Sequence, residues 1–318
     1  MRPLSGTALD PGEAELRSRS LRRWSSNASL TVATLLAAAK ILAWLATDSL
    51  SLLASVVDAL VDIFASLVTF FGIRFSLQPP DAEHRFGHGK AESLAALTQA
   101  MLLVGAVAVL IVDGVQRLIV PLGLSQLNLG LGVIAGSTAL TACLVLFESY
   151  VERRTQSQAV AADRAHHLSD IVANLAVLLA LALTKWTGWQ LFDPLFAIGI
   201  AAFFAWTAFG IARSALQALL DHELPTAERQ QISRVVMTHS SARGLHDLRT
   251  RRSGPLRFIE FHLELDGGLS LQEAHTIADD IECSVKKALP LSEVIVHVEP
   301  GGIRDERLDD RIKTGHTG

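Results

Sequence analysis

Residues 51–71 read SLLASVVDALVDIFASLVTFF, an apolar run interrupted by Asp58 and Asp62. A bilayer core of roughly 30 Å needs about 20 such residues in a helix, so the run has the length of a membrane span. Each carboxylate near the middle of a span costs about 2.5 to 3.5 kcal/mol on insertion scales. Spaced i and i+4, the two acids share one helix face. Their like charges also repel, so a cation or a proton is expected between them.

The same spacing recurs in residues 161–176, AADRAHHLSDIVANLA, where His166 and Asp170 lie four apart. Asp62 follows Asp48 by 14 residues and Asp170 precedes Lys185 by 15, which places both about 21 to 22 Å from the outer ends of their spans. Two acidic helices can therefore meet at one depth. Three carboxylates (Asp58, Asp62, Asp170) and the His166 imidazole form a donor set suited to tetrahedral zinc; the competing reading is that they pair with Lys40 or line a water-filled cavity. His167 points some 100° from His166 and reads as a supporting or interfacial group. Asn174 continues the Asp170 face and either assists that residue or hydrogen-bonds a neighbouring helix.

Six stretches reach spanning length: about 28–47, 50–74, 92–118, 127–149, 161–185 and 191–212. The whole chain of 318 residues is 50% hydrophobic and 19% charged, with mean hydropathy +0.34, which excludes an ordinary soluble enzyme. A net charge of -4 gives no basic surplus for nucleic acid. The two cysteines, Cys143 and Cys283, cannot supply a disulfide framework or a four-thiolate zinc site, so any metal must be held by His and carboxylates. The first apolar run is too long for a cleaved signal and stays in the protein. Positive charge gathers on one side of the spans: Arg17, Arg19, Arg22 and Arg23; Arg74, Arg85 and Lys90; Arg153, Arg154 and Arg164. The other side has little beyond Lys185 and Arg117. Both termini are thus expected in the cytoplasm.

The expected organisation is a cytoplasmic N-terminal tail at 1–24, a six-helix transmembrane domain at 25–220, a cytoplasmic α+β domain of order αββαβ at 221–302, and a flexible tail at 303–318. In the α+β part, helices are predicted at 226–238 and 271–288, and strands at 245–252, 256–265 and 293–299. Strand alternation puts Glu260, His262 and Glu264 opposite Phe261, Leu263 and Leu265, and His297 and Glu299 opposite Val294, Val296 and Val298. With His246 on the first strand this makes a His-rich polar face, which is either a metal site or ordinary solvent-facing histidine; His275, on a helix, carries the same alternative. Residues 79–93, PPDAEHRFGHGKAES, group Asp81, His84 and His88 within eight positions, as a cation site or as plain loop histidines.

Taken together, DALVD at 58–62, FGHGKAESLAAL at 86–97, RRTQSQAV at 153–160, HHLSD at 166–170, HDLRTR at 246–251 and VIVHVEP at 294–300 resemble the cation diffusion facilitators, most closely the YiiP-type bacterial zinc and iron efflux proton antiporters. The resemblance runs from about residue 20 to 300. It implies a homodimer in the bacterial inner membrane, six-helix protomers and a metallochaperone-like cytoplasmic domain, with Zn2+ and protons as substrates. It makes Asp58, Asp62, His166 and Asp170 the transport site, and Asp81, His84 and His88 a loop site. It assigns His246, His262, His275, His297 and Glu299 to a binuclear zinc site at the cytoplasmic dimer interface, and Lys90 with Asp221 to an interprotomer salt bridge. The close zinc members carry Asp where this chain has Glu299. The alternatives are export of ferrous iron, cadmium or manganese, or a membrane metal sensor that transports nothing. An intramembrane metallohydrolase is excluded by the absence of HExxH and of an open position on a fully ligated metal.

Overall fold

The computed structural model describes residues 11–47, 50–119, 127–189, 192–302 and 307–314. The expected tails at 1–10, 303–306 and 315–318 lie outside these residues, as do Asp48 and the side chains of Arg117 and Lys185. The chain divides into two compact units, Gly12–Leu216 and the part from Gln217 onward.

The first unit is built from long helices: α1 (Pro11–Thr47), α2 (Leu50–Ser76), α3 (Ala91–Ile119), α4 (Leu127–Thr155), α5 (Gln158–Thr187) and α6 (Phe192–Leu219). Within α1, α2, α3 and α6, the segments Glu15–Leu45, Ser55–Ser76, Ala91–Val112 and Leu195–Leu219 are long and apolar enough to cross a membrane. α4 and α5 match them in length, at 29 and 30 residues, but both contain side chains outside the described set. The six expected spans are thus shown for four. Outward-facing Leu42, Phe71, Val109, Leu146 and Trp206 are well exposed, as side chains against lipid must be.

Lipid is as apolar as leucine, so helices in it associate through close contact and polar links rather than through a hydrophobic drive. The small residues Ala96, Ala162 and Ala215 meet in one buried cluster and bring α3, α5 and α6 together. On α2, a Cβ at Gly72 would lie 2.5 Å from the Ala95 Cβ, so only glycine allows this crossing with α3. The polar links include Ser29 Oγ to Ser66 Oγ at 3.0 Å between α1 and α2, and Ser93 Oγ donating to Gln158 Oε1 at 2.7 Å between α3 and α5. The strongest is Glu92, which accepts from Arg22 Nη1 at 2.7 Å, Ser76 Oγ at 3.1 Å and Ser157 Oγ at 2.6 Å. Ser157 Oγ also accepts from the Val160 N–H, capping α5. One buried carboxylate thus holds α1, α2, α3 and the start of α5.

That link carries helix into the N-terminal stretch. Residues 11–24 continue α1 rather than trailing from it, because Arg22, read as a cytoplasmic charge, is buried against Glu92.

The second unit runs α7 (Thr226–Met237), β1 (Gly244–Ser253), β2 (Leu256–Leu265), α8 (Leu271–Ala288), β3 (Ser292–Pro300) and α9 (Leu308–Thr314). The sheet order is β1-β2-β3, with β1 and β2 antiparallel and β3 parallel to β2. Gly254, at φ +59, turns the β1–β2 hairpin. Ile259, Phe261, Leu263 and Leu265 of β2 pack on Ile232 and Val236 of α7 and on Ile281 and Val285 of α8, giving the unit its own core. The αββαβ order and the strand faces agree with the sequence pattern.

β1 departs from simple alternation. Its register against β2 slips between His246 and Arg249, and Asp247 adopts φ +52, so both His246 and Asp247 are buried. Such a bulge re-aims side chains. The Asp247 carboxylate accepts the N–H groups of Leu308 (3.0 Å) and Asp309 (2.9 Å) at the start of α9, and Asp309 Oδ2 accepts the Asp247 N–H at 3.1 Å. Residues 308–314, within the stretch expected as a flexible tail, are therefore helix; their charge concealed an anchor supplied 61 and 62 residues away.

Helix α8 opens with a capping box, in which Ser270 Oγ accepts the Glu273 N–H and Glu273 Oε2 accepts the Ser270 N–H at 2.8 Å. The Ser270 hydroxyl and N–H hold the Glu273 carboxyl below its ordinary value of 4.5. A depressed folded-state value means stability that is complete above the ordinary value and lost as pH falls through the folded one. Ser270→Ala is expected to cost the α+β unit about 1 kcal/mol, and Glu273→Gln to shrink its acid-dependent loss, both read by urea unfolding of fragment 221–302 between pH 7 and pH 3.

Candidate metal-transport site

Burial makes any charge among the first unit's helices costly, so each must have a partner. Asp62 on α2 and the pair His166 and Asp170 on α5 come together: His166 Nε2 lies 3.4 Å from Asp62 Oδ1 and 4.0 Å from Asp170 Oδ2. All three offer ligand atoms within 4.8 Å of one another. The two helices carry their acids to a common depth, as the spacing predicts. Asp58, a turn earlier on α2, is exposed and stands outside this trio. Asn174 Nδ2 donates to Thr138 Oγ1 at 3.2 Å, which resolves its two readings in favour of a link between α5 and α4. The His166 Nδ1 is buried with no hydrogen-bond partner.

Asp81, His84 and His88 also converge, in the turn between α2 and α3. Asp81 Oδ1 accepts the N–H groups of Glu83 (2.9 Å) and His84 (2.6 Å), folding the turn around its own carboxylate. These bonds, the His84 N–H first, hold the Asp81 carboxyl below the usual carboxylate range. The His84 Nδ1 and His88 Nε2 each stand 3.3 Å from Asp81 oxygens, and His88 is buried edge-on to the Phe75 ring. Gly87, at φ +74, lets the chain reverse between the two histidines.

In the second unit, β1 and β2 pair His246 directly with His262, and β2 and β3 pair His262 with His297. Glu299 spans the first two: Oε1 is hydrogen-bonded to His246 Nε2, and Oε2 lies 3.4 Å from His262 Nδ1. Burial pushes this carboxyl up, but the hydrogen bond and charge of His246, aided by His262, outweigh it and leave Glu299 below its ordinary value. The longer side chain at the position where an Asp was the resemblance's expectation thus bridges two imidazoles. The His297 ring stacks 4.6 Å from that of His262 without joining the donor trio. His275 stands on the surface of α8 beside Asp279, at 3.5 Å, and is not brought to the cluster within one chain. Asp221 pairs with Arg251 at 3.6 Å in the same chain.

A fourth cluster escaped the sequence reading. Glu148 on α4 and Asp163 and His167 on α5 are all buried and mutually within reach. Asp163 and His167 are themselves i and i+4, a signal overlooked because it interleaves with the His166 and Asp170 pair.

Comparison with known proteins identifies the family of both units. The family described as the cation efflux transmembrane domain covers residues 26–220, and the cation efflux protein cytoplasmic domain covers 224–301. The cation-efflux pump FieF of Salmonella paratyphi A (strain ATCC 9150 / SARB42) is 47% identical over 273 residues, 86% of this chain and 91% of that protein. FieF of Salmonella choleraesuis (strain SC-B67) is 46% identical over 276 residues, 87% and 92% of the two chains. Among solved structures, the zinc form of the transporter CzrB is 37% identical, covering 27% of this chain and 99% of that one, with a TM-score of 0.24. The metal-bound C-terminal domain of the CzcD transporter from Thermotoga maritima is 31% identical over 25% of this chain and 93% of that one, also at 0.24. With both units matched in order and nearly half the residues shared along most of the chain, this protein belongs to the cation diffusion facilitator family, as a FieF-like cation-efflux transporter and not an enzyme.

Proposed function

We propose that the protein exports Zn2+ in exchange for protons, as a homodimer in the bacterial inner membrane with both termini in the cytoplasm. The observation that carries this reading is the trio of Asp62, His166 and Asp170, a buried imidazole facing two half-buried carboxylates between long apolar helices. Asp58, one turn away on the same face, is the fourth donor on this reading. Such a set must be deprotonated to hold metal, so proton and zinc compete for the same atoms. Open to the cytoplasm, the site loads zinc and releases protons. Open to the other side, it is reprotonated and lets the metal go. The imidazole favours zinc or cadmium over manganese, which prefers an all-oxygen shell, while ferrous iron tolerates either.

The loop trio of Asp81, His84 and His88 and the cytoplasmic cluster of His246, His262, His297 and Glu299 complete the reading. The first serves as a cation site beside the membrane. The second, with His275, serves as a zinc-bridged dimer contact that senses cytoplasmic metal, near a Lys90 to Asp221 pairing between protomers. Zinc flux into proteoliposomes under an imposed pH gradient tests antiport directly; binding without flux would make the protein a sensor.

In that assay Asp62→Ala is expected to reduce zinc flux at least a hundredfold, with expression and dimerisation retained because the change also removes a buried charge; wild-type flux would overturn the transport-site assignment. His166→Asp is expected to shift competition toward manganese and iron, measured by their inhibition of zinc uptake. For the cytoplasmic unit, zinc at a hundred times its Kd is expected to add about 2.7 kcal/mol of stability. Thermal melts of fragment 221–302 would show this gain, and His262→Ala would lose it; a melting temperature indifferent to zinc would overturn the metal role of these histidines.

A further inference from the structure

The buried cluster of Glu148, Asp163 and His167 has no part in the transport trio. Glu148 is 0% exposed, Asp163 1% and His167 5%. The His167 Nδ1 lies 3.1 and 3.2 Å from the two Glu148 oxygens. Two enclosed carboxylates against one imidazole, even a protonated one, leave an uncompensated negative charge in a low-dielectric setting. The adjacent cation does not supply the balance, since Arg164 is turned to Glu152. Some positive species, a further proton or a metal ion, must complete the group.

The geometry admits a metal. Ligand atoms about 2.1 Å from a tetrahedral zinc stand about 3.4 Å apart, so the His167 and Glu148 atoms, now at hydrogen-bond distance, need to part by only a few tenths of an ångström to hold one. One ligand atom from each of the three residues lies within 4.8 Å of the others, a spread that small side-chain rotations close. Asp163 is oriented from outside, by Gln99 Nε2 at 3.3 Å, and the same amide nitrogen is fixed to Ala65 O at 2.8 Å and Thr69 Oγ1 at 2.9 Å on α2. An outer hydrogen bond of this kind is what aims a ligating carboxylate. Gln99 is 1% exposed and its Oε1 has no partner, which leaves a fourth buried oxygen acceptor beside the cluster.

The place of this cluster is equally specific. On α5 the pair Asp163 and His167 precedes the pair His166 and Asp170 by three residues, so the two face about 60° apart around the helix and about 4.5 Å apart along it. The rings of His166 and His167 are 5.9 Å apart.

We propose that Glu148, Asp163 and His167 form a second intramembrane site for a divalent transition metal, next to the transport trio. Resting on the export reading, its role is a holding position from which the cargo passes to His166 and Asp170 by a shift of less than a helical turn.

Metal counting on the purified full-length protein tests this. In a background carrying Asp62→Asn, Asp170→Asn, Asp81→Asn and His262→Gln, equilibrium dialysis is expected to leave one tightly held cadmium per chain, which Glu148→Gln with His167→Gln removes. Equal cadmium in the two proteins would overturn the site and assign the cluster to a shared proton. A gain of signal guards against misfolding: with Cys143→Ser and Cys283→Ser in place, His167→Cys is expected to show a thiolate-to-cadmium charge-transfer band that Glu148→Gln abolishes. No band, or one indifferent to Glu148→Gln, would overturn the site as well. Wild-type zinc flux separates the two readings: cadmium retained without flux refutes export and keeps the site, and flux without retained cadmium does the reverse.

Discussion

Charge that lipid will not solvate is the constraint on which the first unit depends. A carboxylate there persists only when something positive or a set of donors answers it. Glu92 is answered structurally, by Arg22, Ser76 and Ser157, and so becomes the tie among four helices. Asp62 and Asp170 share one close imidazole, that of His166, and on the proposed export reading that shortfall is what draws a divalent cation. The same physics thus yields a fixed joint where the donors suffice and a site where they do not.

The joint and the site are at different levels along the same helices. Glu92 sits in the first turn of α3 and Ser157 caps α5, whereas Asp170 is more than three turns into α5. Between them α3 crosses its neighbours closely through small residues, Gly72 against Ala95 and Ala96 with Ala162 and Ala215, while Leu103, Ile200 and Phe204 pack further along the bundle. Small residues interdigitate little, so helices packed through them slide and tilt with less steric resistance than helices locked by large side chains. The end of the bundle is pinned by charge, the small-residue crossings lie next to it, and the larger Leu103, Ile200 and Phe204 pack beyond them.

What the sequence could disclose follows from how local each signal is. Asp58 with Asp62 and His166 with Asp170 were legible because i, i+4 spacing declares a shared helix face without knowledge of any partner. The three strands of the second unit were legible because β2 alternates without a break from Phe258 to Leu265 apart from its paired start at Ile259. Glu148 was not, since its i+4 neighbour on α4, Glu152, is turned to Arg164, and its own partners come wholly from α5. Arg22 read as a surface charge for the same reason: its partner is 70 residues away. The β1 bulge and the anchoring of α9 depend on one positive φ at Asp247, which the pattern HDLRTR does not announce to a reader counting alternation.

Within the second unit, the bulge shapes the histidine-rich face. Strict alternation would turn His246 and Leu248 to the same side and Asp247 to the other. The extra residue buries His246 and Asp247 together, directing His246 to Glu299 while Asp247 receives the start of α9. The carboxylate that bridges His246 and His262 and the carboxylate that holds α9 therefore lie on opposite flanks of one imidazole. Any ligand that draws His246 away from Glu299 must also work against the backbone that Asp247 fixes, so the geometry of the histidine face and the docking of the C-terminal helix are set by the same two residues of β1.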